Sequence, residues 1–520
     1  MHLVVIVAVL AVLQAPAHPV PAPASLTELV NRPLPLRPGI GSAHDTVSTS
    51  SKRAQGFYDQ GLAYLHSFVW LEAARSFNEA LRADSTLAMA HLGLTIAYTE
   101  LNAPAAARTA LERAKALGAA ASDHDRRHIA ARALQAAAEA APGGPHLQQY
   151  RAALDEALKA FPEDEELWLL RGLAASPDPA NRGQGSVAES IPFYQKALAL
   201  APAHFAAHHY LTHAYENSGS IAQALAEGTE YAKMAPSVPH ARHMKAHNLR
   251  RTGKIAEAVE EFRAADALQT EYFRKEAVPA DYDWHYQHNL DLLASSHQYL
   301  GQMATAETLF RKTFAIRSSL VVQEFNKRAW PEFLIARGRP AEALEAAEAL
   351  AAHPTAVVSA IGHIEAGRAQ LALGQFKAAA DESNAALRLM RGAPEGAGLA
   401  ATPLKALQGE FFLRTGKKEQ GRPLLEQAAR EVRSAPGPDA WTQALFTLES
   451  IAGAARQVGD WEFADWAAKQ MLEHDALYAG SHLALALVAE HRGDAKTAAA
   501  ERALAAKYWS GADRDVRDRK

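Results

Sequence analysis

The sequence repeats itself every 34 residues, and that period restricts the fold more than any other feature. Tyr64, Ala73, Phe77 and Ala80 return 34 positions later as Tyr98, Ala107, Leu111 and Ala114. Further on, Pro202 and Pro236, Gly219 and Gly253, and Ala224 and Ala258 keep the same interval. More glycines stand at 301, 338, 374, 416, 459 and 493, each followed five residues later by a small residue: Ala306, Ala343, Ala379, Gly421, Ala464 and Ala498. A glycine lets the chain turn sharply, and a small residue just beyond it lets two helices approach closely. Leu, Tyr and Phe at spacings of three and four give each helix one apolar stripe. Such a unit cannot bury its apolar face alone, so neighbours must stack. The pattern predicts an all-α solenoid of about eleven or twelve antiparallel helix pairs.

The pattern resembles the tetratricopeptide repeat (TPR). The resemblance runs from about 54 to 512 and implies a right-handed superhelix whose first helices line a concave groove. We divide the solenoid into an N-terminal and central part, 54–320, and a C-terminal part, 321–512, with a charged tail at 513–520. Two insertions interrupt the phase, at 176–186 ("SPDPANRGQGS") and 274–284 ("RKEAVPADYDW"). The second adjoins the histidine-rich units and can cap the groove there, although a tolerated surface loop is the simpler reading.

The N-terminus carries an apolar run, Leu3–Leu13, followed by Ala15-Pro16-Ala17 and Ala22-Pro23-Ala24. The run is too short to span a bilayer and fits a secretory signal peptide over 1–24. Residues 25–53 are proline-rich and read as a linker outside the fold. The expected protein is exported, periplasmic or secreted, with no membrane span in its mature chain. Cysteine is absent, which excludes disulfides, thiolate metal sites and cysteine nucleophiles. A net charge of −4 without a dense basic block argues against nucleic acid as a partner. No strand alternation, P-loop, nucleophile elbow or H-E-x-x-H motif is present.

What remains is histidine. Of 23 in the chain, ten lie between His204 and His297. Counting back from each turn sorts them by direction. His91, His208, His363 and His482 share a row eleven residues before the turn, at Asn102, Gly219, Gly374 and Gly493, and read as structural. His297 also reads as core. Another row faces the groove. His209 and His243 are ten before Gly219 and Gly253; His213 and His247 are six before. His240 and His288 are thirteen before Gly253 and Gly301, Glu216 continues the stripe, and Asp291 occupies the row of His209 in the next unit. Each i,i+4 pair shares one helical face, and facing helices carrying paired ligands are how helical scaffolds hold metal ions. We therefore take His209, His213, His243, His247, His240, His288, Glu216 and Asp291 as candidate ligands meeting at one site. Imidazole and carboxylate without sulfur suit Zn, Cu, Ni or Fe. Affinity should fall below about pH 6.5, where free imidazole protonates.

The segments "HHYLTHAYE", "PHARHMKAH" and "HNLDLL" resemble those of bacterial exported TPR proteins with histidine-rich first helices. That resemblance ties the segments into one unit and brings no activity with it. Two functions follow: metal binding, for metal handling or metal-dependent chemistry, or a non-catalytic adaptor holding a peptide or protein along the same groove. Such scaffolds more often bind than react. His124 and His128 read as a solvated helix start capped by Ser122 or Asp123. The carboxylates of "FPEDEELW", 161–168, read as acidic residues favouring a helix N-terminus.

Overall fold

The computed structural model describes residues 25–318, 320–393, 396–435 and 438–517. Signal-peptide positions 1–24 lie outside the described residues. No strand occurs among the described residues. Helices pack in twelve successive pairs, from Lys52–His66 with Trp70–Ala83 to Ala479–His491 with Ala495–Tyr508. The fold is a TPR-type solenoid.

The turn signals act as their chemistry requires. Gly219, Gly253, Gly301, Gly338, Gly374, Gly416, Gly459 and Gly493 all adopt positive φ. The first two units depart from this pattern: their turns carry Phe68 at φ 58° and Asn102 at φ 54°. The small residues five past the glycines are buried where the paired helices cross. A Cβ added at Gly421 would meet the Gly409 carbonyl at 2.7 Å. In the structural row, His208, His363 and His482 each direct Nδ1 at a glutamate 19 residues later, at 2.6–2.7 Å: Glu227, Glu382 and Glu501.

The stretch expected to be a free linker is part of the fold. Ser25 caps the short helix Leu26–Val30, and Leu29, Val30, Leu34, Ile40, Ala43 and Val47 are buried. Each larger side chain contributes about 1.5–3 kcal/mol by leaving water. Backbone bonds fix the strap: Ser237 N–H donates to the Gly39 carbonyl at 2.8 Å, and Arg75 reaches the Pro33 carbonyl at 2.8 Å. Proline content predicted an extended chain but did not reveal that apolar residues between the prolines have a groove to fill. Part of the charged tail also packs on the solenoid. Val516 is buried, and Asp513 N–H donates to the Gly301 carbonyl at 3.0 Å, so residues 513–517 dock on the seventh pair, while 518–520 lie outside the described residues.

The superhelix brings the first pair against the sixth and seventh. Trp284 Nε1–H donates to the Phe68 carbonyl at 3.1 Å, and Tyr272 hydroxyl to Glu72 at 2.8 Å. The first turn and the strap thus fill the groove beside the histidine-rich helices. The insertion at 274–284 shapes that filling: its Asp283 caps the helix Trp284–Tyr299 and sets Trp284 and His285 against the cluster.

Candidate metal centre

The helices Phe205–Asn217 and Pro239–Arg251 carry the central imidazoles. Pro239 starts the second at a position where its missing N–H is harmless. His209, His213, His240, His243 and His247 are all buried, as is Glu216, whereas His288 is half-buried. The expected row therefore does not line an open groove: Phe68 lies against His209, His213 and His240, and Trp284 against His240.

Nor do the rings share one centre. They form two triads, each with ring nitrogens lying within 4.8 Å of one another: His209, His213 and His240 in one, His243, His247 and His288 in the other. In the first, His209 Nε2 stands 3.1 Å from His213 Nε2 and 2.9 Å from His240 Nε2. Four ligands about 2.0–2.1 Å from a tetrahedral ion lie about 3.3 Å apart, so this spacing suits three nitrogens on one metal. Glu216 belongs to neither triad, although its carboxylate stands 3.5 Å from His247 Nδ1. Asp291 instead lines a cavity shared with Glu332 and Arg368. One pooled site of eight ligands is thus replaced by two triads with Glu216 behind one of them.

Fixed tautomers turn lone pairs inward. His209 Nδ1–H donates to the His66 carbonyl at 2.6 Å, which leaves Nε2 unprotonated on the neutral ring. His243 Nδ1–H donates to Asn289 Oδ1 at 2.9 Å, and Asn289 is oriented by its own bond to the Phe262 carbonyl at 3.1 Å. His243 Nε2 is buried with no hydrogen-bond partner. Such outward bonds from the far ring nitrogen orient the imidazole of metal-ligating histidines. Each buried polar atom left unsatisfied costs about 1–3 kcal/mol, so without an ion the arrangement is a liability.

Burial favours the neutral form of His209, His213, His240, His243 and His285. It holds His209, His240, His243 and His285 well below the ordinary imidazole value, reinforced by neighbouring imidazoles. Burial outweighs the attraction of Glu216 and brings His213 down to about 3. Burial also raises Glu216, against the pull of Arg251.

Three histidines escaped the sequence reading. His285 lies between the triads, its ring 4.5 Å from His240 and 4.1 Å from His243, with Nε2 unsatisfied. Its signal was its position three residues before His288, on the same helical face, but the insertion obscured the phase. His66 and His204 flank the buried Glu166 carboxylate at 2.9 and 3.2 Å. Glu166, expected only to favour a helix start, is thus an internal anion between two imidazoles. The pair His124 and His128 is not solvated either: both rings contact Asp164.

Phe68 covers the first triad, its ring 4.7 Å from His209 and 5.0 Å from His240. Left-handed backbone costs a bulky residue about 1–3 kcal/mol; here it places an aromatic ring where glycine would leave a gap. Beside Phe68, a cavity of about 300 Å³ reaches His240 and His285 and is walled by Ile40, Tyr64, Val238 and Tyr272.

No protein-family model matches the sequence, and no curated protein matches it. Among solved structures, the human IFIT1 dimer with m7Gppp-AAAA aligns over 90% of this chain and 92% of its own at 14% identity, TM-score 0.36. Yeast Tom70 aligns over 78% and 90% at 12% identity, TM-score 0.37. The APC/C hetero-tetramer Cut9-Hcn1 aligns over 90% and 95% at 14% identity, TM-score 0.29. Scores this low carry no argument about what this chain binds. No described helix is long and apolar enough to cross a membrane.

Proposed function

We propose that this chain is an exported α-solenoid that binds transition-metal ions at two buried histidine triads, His209/His213/His240 and His243/His247/His288, with His285 between them. The observation that carries the reading is the tautomer lock. His209 and His243 spend their Nδ1 protons on outward acceptors and aim bare Nε2 atoms into clusters of other imidazoles. Three neutral nitrogens with a fourth position left to water or a small molecule suit Zn or Cu. The ion supplies Lewis acidity when bound. The cavity beside His240 and His285 gives a small molecule room to reach the site, which supports metal handling or metal-dependent chemistry. The adaptor reading has less room: the strap and the Phe68 turn occupy the groove where a peptide would pass the histidines.

The test is elemental analysis of untagged protein dialysed at about pH 7.5, where free imidazole is neutral. A second sample carries His209→Ala and His247→Ala, one ligand from each triad. The wild type should hold two more ions per chain than the double variant. Equal metal content in both would sink the reading.

A further inference from the structure

Away from the central triads, the strap, the helix Asp123–Ala140 and the start of the helix Glu165–Leu173 meet at a second cluster of ligand atoms. Asp45 comes from the strap, His124 and His128 from one helix face, and Asp164 is the N-cap of Glu165–Leu173. His124 Nε2 lies 2.9 Å from Asp164 Oδ2 and 3.3 Å from Asp45 Oδ1; His128 Nε2 lies 3.2 Å from the same Asp164 oxygen. Asp45 and His128 are buried, and Asp45, His124 and His128 offer atoms within 4.8 Å of one another.

Three of these four groups also make a contact outward. Asp164 Oδ1 accepts from Leu167 N–H at 3.0 Å, and Asp45 Oδ2 from the Tyr58 hydroxyl at 3.3 Å. His124 Nδ1–H donates to Asp125 Oδ1 at 3.1 Å, and Asp125 is itself held by Ser48 N–H at 2.9 Å. A carboxylate behind the far nitrogen of an imidazole is the arrangement that orients a metal-ligating histidine. With that proton spent on Asp125, His124 Nε2 faces two carboxylate oxygens. A lone pair there would be repelled by both, so the centre requires positive charge: protons on the rings, or one divalent cation. One cation would take the inward atoms of Asp45, His124 and His128, which lie within 4.8 Å of one another, with Asp164 Oδ2 beside both imidazoles. Three of the His–Asp separations, 2.9, 3.2 and 3.3 Å, lie close to the edge of a tetrahedral zinc site, about 3.3 Å.

We propose that Asp45, His124, His128 and Asp164 bind a divalent ion of the zinc class that staples the N-terminal strap to the solenoid. All four positions come from the protein, so the site is closed and structural, unlike the central triads. Its role is to hold the strap over the groove.

The full chain is stripped with chelator and titrated with zinc alone, beside Asp45→Asn and, as a second variant, His124→Gln. The variants should bind one zinc fewer than the parent, whatever the parent's total. If the central triads bind nothing, the parent takes up one ion and the variants none, so the two readings fail separately. Hydrogen exchange of strap residues 40–51 in the parent itself should quicken at least tenfold when zinc is removed and slow again when it is restored. Equal zinc uptake by parent and variants overturns the proposal. So does strap exchange indifferent to zinc, the outcome for a purely protonated ion-pair network.

Discussion

His208 and His209 are adjacent, yet they have opposite surroundings. His208 points between the helices of its own pair and meets Glu227 at 2.6 Å; His363 and His482 repeat the arrangement with Glu382 and Glu501. His209 points toward the axis of the superhelix, where its Nε2 meets other imidazole nitrogens. At His208, His363 and His482 that row is complete within the chain: each ring has a carboxylate supplied by its partner helix, whereas 19 residues after His91 stands Ala110. The other row turns ring nitrogens inward, and there His243 Nε2 is buried with no hydrogen-bond partner. A residue type therefore says little until the helical phase gives its direction, and direction says little until the partners are counted.

The strongest way to break this contrast is to remove one ring from each row. His209→Ala should abolish one zinc site, lowering affinity there on the order of 100-fold or more, as expected when a ligand rather than its support is lost. His208→Ala should leave zinc binding unchanged. Equal losses in the two variants, measured by competition with a chromophoric chelator, would erase the distinction.

Acid should separate the metal-free groove from the rest of the fold. Burial lowers the groove imidazoles, His213 to about 3, so the folded chain holds fewer protons than the unfolded chain between those values and about 6.5. Stability is then full above about 6.5 and falls as pH drops below it. At pH 5, His213 alone withdraws about 2 kcal/mol, at 1.36 kcal/mol per pH unit. Urea midpoints of the metal-free protein should drop between pH 7 and 5, and bound zinc should oppose the drop. Midpoints that do not move would mean the rings are solvated.

A subtler intervention leaves every ligand in place. Asn289 fixes the tautomer of His243, so Asn289→Ala should weaken zinc at the second triad about 10–100-fold while the first triad, locked by the His66 carbonyl, keeps its affinity. Zinc titrations should therefore resolve two unequal sites where the parent shows two closer ones. Uniform weakening would show that the triads act as one.

The solenoid was legible in the sequence because its signals are local: a turn glycine and the small residue five positions on lie within one unit, and both behave as the period predicts. Structural His208, His363 and His482 were legible for the same reason. The central histidines were placed by row, but their division into triads was not legible, since it depends on how two helices approach in space. His285 was lost in an insertion that broke the phase. Phe68 was lost because it holds a turn where most units place glycine, and no periodicity announces that its ring crosses to the fifth and sixth pairs. Asp45 lies in a proline-rich stretch whose composition suggested no fixed structure.

The smallest effects test whether the structural row is only structural. The exposed fractions of the two side chains are 6% and 20% for His482–Glu501, 13% and 23% for His208–Glu227, and 27% and 26% for His363–Glu382. Solvent weakens an ion pair as it becomes exposed, so Glu501→Gln should destabilise most, Glu227→Gln less and Glu382→Gln least, all by about 1 kcal/mol or below. Thermal melts at matched pH give the order. None should alter zinc stoichiometry, because each glutamate lies on the second helix of its pair and faces a ring that points away from the axis. A change in zinc content on replacing Glu227 alone would mean that His208 communicates with His209 through the backbone they share, and the two rows would have to be treated as one.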